Sequence, residues 1–248
     1  CLGPEGRVTL ADRSVDITLS DPPFSERVHA RLGKEDRCDG RKARDALTFE
    51  HLTDTEAYAM AAQLCRVTRE WIILFCDEVS LVPWKDAIEA AGGEYVRKGT
   101  WLKIGPMPQM SGDRPSSGTE EIMIAHAPRT SGRMKWNGGG KTAVYRASPQ
   151  EPGIPRIHPN QKPLRLLRDI LTDFADAGDL ILDHNAGSAS TGVAALSMGL
   201  RFVGWERSPE THRDASARLS GNEVRPNPDH LSMFFSPCAD GGSMSPTP

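Results

Sequence analysis

Residues 180–206 read LILDHNAGSASTGVAALSMGLRFVGWE, and this stretch decides the fold. The run from Leu180 to Asp183 is short and aliphatic, the pattern of a strand buried on both faces. A small-residue turn follows, Ala186-Gly187-Ser188-Ala189-Ser190-Thr191, then a helix over Thr191 to Met198 and a strand over Phe202 to Trp205. That is a βαβ unit, the building block of a parallel sheet. Small turn residues let backbone amides approach a ligand, and an acid about 20 residues later, here Glu206, is placed to accept both hydroxyls of a ribose. The same turn also serves ordinary strand-to-helix packing, so alone it does not establish a ligand.

Working outward, a helix is predicted over Pro163 to Ala175 and a strand over Val15 to Ser20, which ends where Pro22 and Pro23 remove amide donors. Residues 53–69 have helical periodicity, with Thr53 as cap and Glu56 completing a capping box. Trp71 to Cys76 reads as a buried parallel strand, residues 83–91 as a short helix, and Tyr95 to Ile104 as another strand. Between Gly105 and Arg156 the chain turns rich in Gly, Pro, Ser and Arg, with Glu121 to Ala125 the one strand pattern, as an insertion would. The expected organisation is 1–104, an insertion at 105–156, a second half of the domain at 157–220, and a polar tail at 221–248, disordered or loosely docked.

Composition narrows the function classes. No apolar run reaches the roughly 20 residues needed to span a bilayer. Cys1, Cys38, Cys65, Cys76 and Cys238 are scattered, with no C-x-x-C pair, so neither a disulfide framework nor a zinc site is expected, and a reducing cytoplasm fits. The histidines have no paired metal-ligand spacing, and no metal is expected. The net charge of -3 conceals a division: residues 97–168 hold 13 Lys+Arg against 4 Asp+Glu, leaving 17 against 29 elsewhere. A basic block of that kind is what neutralising phosphates requires. Within it Arg114, Arg129, Arg133, Lys135, Lys141 and Arg146 surround Trp136 and the Gly138-Gly139-Gly140 hinge, offering phosphate contacts, base-edge contacts and a wedging side chain.

The sharpest chemistry lies at Asp21-Pro22-Pro23-Phe24. An exocyclic base amine is a poor nucleophile because its lone pair is delocalised into the ring. A site that alkylates it needs acceptors for both N–H groups, so that the lone pair can turn out of the ring plane. Asp21 supplies a carboxylate, the Pro22 carbonyl a second acceptor, Pro23 rigidity, and Phe24 a flat face for a base taken out of its stack. Taken alone, the tetrapeptide also reads as a strand ending at a proline turn with Phe24 in the core.

SDPPF, HPNQKP, LDHNAGSASTG and VGWE, in that order, resemble the catalytic motif, the motif before the cofactor site, the glycine loop and the ribose-binding acid of the beta class of DNA amino-methyltransferases. The run WLKIGPMPQMSGDRPSSGTEEIMIAHAP followed by KWNGGGK is similar to a phage or prophage branch of that class. The resemblance implies an α/β, Rossmann-like methyltransferase fold: a mostly parallel seven-stranded sheet, circularly permuted, with a target-recognition insertion. It implies S-adenosylmethionine held by Lys162, Pro163, Asp183, Asn185, Gly187, Ser188, Thr191 and Glu206, with Lys162 on the methionine carboxylate. Arg114, Arg133, Lys135, Trp136 and Lys141 become the expected contacts to double-stranded DNA, with a homodimer left open, in a bacterial or phage-infected cytoplasm. An Asp at the first catalytic position points to adenine N6; N4 of cytosine and a silent DNA-binding relative stay open. Ala189 stands where the class has glycine, Asn185 where it has an aromatic residue, and the Gly-Asp pair of its first strand would precede Cys1, so the chain is expected to begin inside a longer product.

Overall fold

The two prolines after Ser20 stop the first strand, β1 (Val15–Ser20), at the point where Asp21 leaves the sheet. The computed structural model describes residues 10–23, 53–106, 108–109, 112–129, 132, 134–154, 161–221 and 234–237. Helix α1 (Asp54–Val67) starts at the expected capping box: the Thr53 hydroxyl accepts from the Glu56 amide at 3.3 Å, and the Glu56 carboxylate accepts from the Thr53 amide at 2.9 Å. Such a cap contributes about 1 kcal/mol. The chain continues through β2 (Thr68–Cys76), α2 (Leu81–Ala90), β3 (Glu94–Lys103), β4 (Thr119–His126), β5 (Val144–Ala147) and α3 (Leu164–Phe174). Last come β6 (Leu180–Asp183), α4 (Ser190–Ser197), β7 (Arg201–Glu206), α5 (Pro209–Ser220) and β8 (Phe234–Pro237).

The strands form one sheet in the order β5-β3-β4-β2-β1-β6-β7-β8, parallel except where β4 runs against β2 and β3. The first seven strands make the expected mostly parallel sheet, and β8 adds a short edge beside β7. That edge strand lies within 221–248, the segment expected to be a disordered or loosely docked tail, so part of the tail joins the sheet. Of the segment expected as an insertion, β4 is an inner strand and β5 the opposite edge; only the connections around them lie off the sheet. Helix α5 escaped the sequence reading, because only Ala215 and Leu219 of it are buried.

Strand β2 shows why its run is apolar throughout. Trp71, Ile73 and Phe75 face one layer with α3 and α4, while Ile72, Leu74 and Cys76 face the other with α1 and α2. Helix α3 inserts Leu166, Leu167, Ile170 and Leu171, each fully buried, and burying such a side chain is worth roughly 1.5–3 kcal/mol. Among the described residues no helix is long and apolar enough to cross a membrane. The layered packing brings the carboxyl ends of β1, β2, β6 and β7 to one rim. The amino end of antiparallel β4 joins them there.

Candidate active site

Asp21 leaves β1 on that rim, and Lys162, just before α3, reaches it. Lys162 Nζ donates to Asp21 Oδ2 at 2.7 Å and lies 2.7 Å from Glu120 Oε1 on β4. Its stem crosses β2, with Nζ 4.9 Å from the Phe75 ring centre. Lys103, at the end of β3, sits 3.3 Å from Glu120 Oε2. The result is a row of alternating charge, Asp21, Lys162, Glu120 and Lys103, laid across the ends of four strands. Lys162 is only 8% exposed, so it is neither a solvated surface charge nor open to a ligand carboxylate on all sides. Burial pushes its pKa down, but the Asp21 and Glu120 carboxylates outweigh this and raise it. For Asp21, burial dominates over Lys162, and with Glu120 and Asp183 adding repulsion its pKa is raised to about 6. Asp21 Oδ1 is buried and has no hydrogen-bond partner among the described residues. Phe24 lies outside the described residues, as does Arg133. Pro22 is buried and Pro23 partly so.

The glycine turn is next to this row. Asp183, buried at the end of β6, accepts from the Ser20 hydroxyl at 2.6 Å and from the Asn185 amide at 3.1 Å, so the ends of β1 and β6 are tied through side chains. Burial raises the Asp183 pKa, opposed by the Ser20 and Thr191 hydroxyls and the Asn185 amide. Glu206 accepts from the Gly187 amide at 2.9 Å through one oxygen and from the Ser208 amide at 2.8 Å through the other. Each carboxylate oxygen retains a lone pair for a ligand hydroxyl. Arg218 of α5 braces the turn by donating to the Ser188 carbonyl at 2.8 Å and the Ser190 hydroxyl at 3.0 Å.

Gly187 (φ 51°) and Ala189 (φ 55°) both adopt the left-handed conformation. For alanine that costs about 1–2 kcal/mol, partly offset by burying its methyl group. The departure from the class pattern at Ala189 is thus a backbone strain, and the residue caps α4 without contributing a side-chain bond. A Cβ built on Gly187 would meet nothing nearer than the Asn185 carbonyl at 3.9 Å, leaving open space above the turn. Asn185 Oδ1 is buried there without a partner among the described residues. Open space, an orphaned amide oxygen and a two-oxygen acid 19 residues along are features a nucleoside cofactor fits. Ser188 and Thr191 are both buried in the turn and the first turn of α4. Pro163 forms the α3 cap rather than its first turn. The carboxylate of Glu151 accepts from the Leu164 and Arg165 amides at 2.6 and 2.9 Å, completing that helix start.

The expected DNA contacts are not brought together with Asp21. Lys135 pairs with Asp176, Lys141 Nζ donates to Asp173 Oδ1 at 2.7 Å, and Trp136 packs on Phe174 with ring centres 4.8 Å apart. These partners lie at or just beyond the carboxyl end of α3, about 15 Å along the helix from Lys162. Lys135, Trp136 and Lys141 therefore sit towards the opposite rim, the two lysines exposed in their ion pairs and Trp136 packed on Phe174. Arg114, paired with Asp113 at 2.7 Å, is on the connection leaving β3 at the Asp21 rim. Glu120, Lys103 and Ser20 were missed by the sequence reading. An acid at a strand's first turn of residues reads as solvated until the strand proves to be internal.

A family model described as DNA methylase, N6_N4_Mtase, matches residues 15–217. The chain belongs to this DNA methylase family. The chain is 31% identical over 144 residues to the Type II methyltransferase M2.DpnII of Streptococcus pneumoniae, a match covering 54% of this chain and 54% of that protein. It thus spans about half the length of that relative. Its fold is similar to that of M1.HpyAVI in complex with SAM, with a TM-score of 0.61, 22% identity, and 86% and 90% of the two chains covered. It is similar also to the cytosine-N4-specific PvuII DNA methyltransferase, with a TM-score of 0.62, 14% identity, and 87% and 83% covered.

Proposed function

We propose that this methylase transfers a methyl group from S-adenosylmethionine to an exocyclic base amine in double-stranded DNA, with adenine N6 as the target. The observation that carries the reading is Asp21 Oδ1, a buried carboxylate oxygen without a partner among the described residues, on the rim it shares with the Asp183, Gly187 and Glu206 turn. When bound, S-adenosylmethionine supplies an electrophilic methyl carbon on a positively charged sulfur. Glu206 would take the ribose hydroxyls, the Gly187 turn would admit the ligand closely, and Asn185 Oδ1 would accept a hydrogen bond from it. Asp21 Oδ1 takes one amine N–H and the Pro22 carbonyl the other, which turns the nitrogen lone pair out of the ring. S-adenosylmethionine held there would give up its methyl group to that lone pair and keep the carbon–sulfur electrons, and Asp21 would take the proton the nitrogen loses and pass it to water. Reaching the amine requires the base to leave the duplex stack, with Phe24 as its platform. Among the described residues, Arg114 is the expected DNA contact on a connection that leaves from and returns to this rim.

The test is to incubate the protein with duplex DNA and methyl-labelled S-adenosylmethionine, digest to nucleosides and separate them. N6-methyladenine is expected. N4-methylcytosine would move the target to the other amine that the same two acceptors can hold, and no label with no cofactor binding would favour a silent DNA-binding relative.

Glu206→Gln keeps one acceptor but turns an amide NH₂ against a backbone N–H. S-adenosylmethionine affinity, read by calorimetry, is expected to fall by about 1–3 kcal/mol, roughly 5- to 150-fold. Unchanged affinity would remove Glu206 from the cofactor site.

A further inference from the structure

We propose that Glu120 and Lys103 are positioning residues, which act through Lys162 to hold the Asp21 carboxylate aimed with Oδ1 free, Lys103 offsetting the charge that Glu120 brings. This rests on the reading of Asp21 as the group that holds the amine. Four ionisable side chains line up across the strand ends, two acids and two lysines, and their charges cancel. Lys162 Nζ is 2.7 Å from both Asp21 Oδ2 and Glu120 Oε1, so it is fixed from two sides over the Phe75 ring. Glu120 is fixed in turn by Lys103 at 3.3 Å, and their side chains are only 11% and 18% exposed. A lysine on a long flexible stem, bonded to Asp21 alone, could swing and take either carboxylate oxygen. With Glu120 on its far side, Nζ stays on Oδ2, and Oδ1 is left for the substrate. Charge matters as much as aim: a buried Asp without its cation takes up a proton and becomes a donor, the wrong partner for an amine N–H.

The groups facing Asp21 are Lys162 before α3, Glu120 on β4 with Lys103 behind it on β3, and Asp183 at the end of β6. Glu120 repels the Asp21 charge, and Lys162 stabilises it. Glu120→Gln keeps the shape and removes that repulsion. The acid limb of the kcat–pH profile is therefore expected to move down by about one pH unit, with kcat at its plateau lowered on the order of tenfold and the KM for S-adenosylmethionine unchanged. Lys103→Gln, nearer the surface, leaves the Glu120 charge less compensated and should move the same limb up, by about half a unit. Glu120→Asp, which keeps the charge, should return the limb towards its original position. A merely structural role would lower stability or expression without displacing the limb in opposite directions. An unmoved limb in either folded Gln variant overturns the proposal. The companion measurement is Asp21→Ala: if it retains wild-type turnover, the reading of Asp21 has failed, whereas an inactive Asp21→Ala beside unmoved limbs overturns only the role of Glu120 and Lys103.

Discussion

Asp21→Ala is expected to lower methyl transfer by about 10²- to 10⁴-fold while leaving S-adenosylmethionine affinity near that of the unaltered protein. On the proposed reading the carboxylate holds the incoming amine, whereas the turn proposed for the cofactor rests on Asp183 and Glu206, whose bonds to Ser20, Asn185, Gly187 and Ser208 do not involve Asp21. The substitution leaves the buried Lys162 ammonium paired with Glu120 alone, so the protein should stay folded with a lowered melting temperature. Single-turnover assays with labelled cofactor, beside calorimetry, check both halves. With the Asp21 pKa at about 6, activity should fall as pH drops through that value, because the protonated carboxyl no longer accepts from the amine. The stability sign runs the other way. A carboxyl whose folded pKa is raised from 3.8 to about 6 favours the folded state most below 3.8 and loses that contribution as pH rises through 6. The enzyme gains activity over the range in which this residue makes it less stable.

Lys162→Met should be the most destabilising single change in the site, by about 3–5 kcal/mol at pH 8. Methionine fills much of the volume over Phe75, but it leaves Asp21 and Glu120 facing each other with only Lys103 to balance them. Urea unfolding at pH 8 and at pH 5.5 tests the cause. The loss should shrink at the lower pH, because Asp21, already raised to about 6 with its lysine in place, takes up a proton there and sheds the uncompensated charge. Equal losses at both values would mean that packing rather than charge accounts for the damage.

The sheet's strands other than β5 and β8, and the βαβ unit, were legible because their signals are local: prolines closing β1, the Thr53 and Glu56 pair opening α1, and the unbroken apolar run in β2. What was not legible depends on pairing between distant segments. Glu121 to Ala125 announces a strand, but nothing within it says that it runs antiparallel between β2 and β3, and so nothing says that Glu120 lands beside Lys162. The charge division of the basic block is incomplete for the same reason. Lys135, Lys141 and Arg129 pair with Asp176, Asp173 and Glu94, and Lys162 with Asp21, all acids outside residues 97–168. A linear count of charge cannot see a partner that the fold supplies from elsewhere. Strand β5 has only four residues alternating between exposed and buried, and helix α5 announced itself only by Ser208 and Pro209, a cap and a first-turn proline.

The bonds that close the site join residues far apart along the chain: Lys162 to Asp21 across 141 positions, and Ser20 to Asp183 across 163. Contacts of such separation form late, after the local α1–β2 and β3–β4 units, because the loop between them must lose its freedom first. A chain emerging from the ribosome therefore holds Asp21 long before it holds Lys162 or Asp183. Until the last third has been made, the carboxylate has neither its cation nor the glycine turn beside it, and the proposed capacity to modify DNA would arrive in one step with the finished fold.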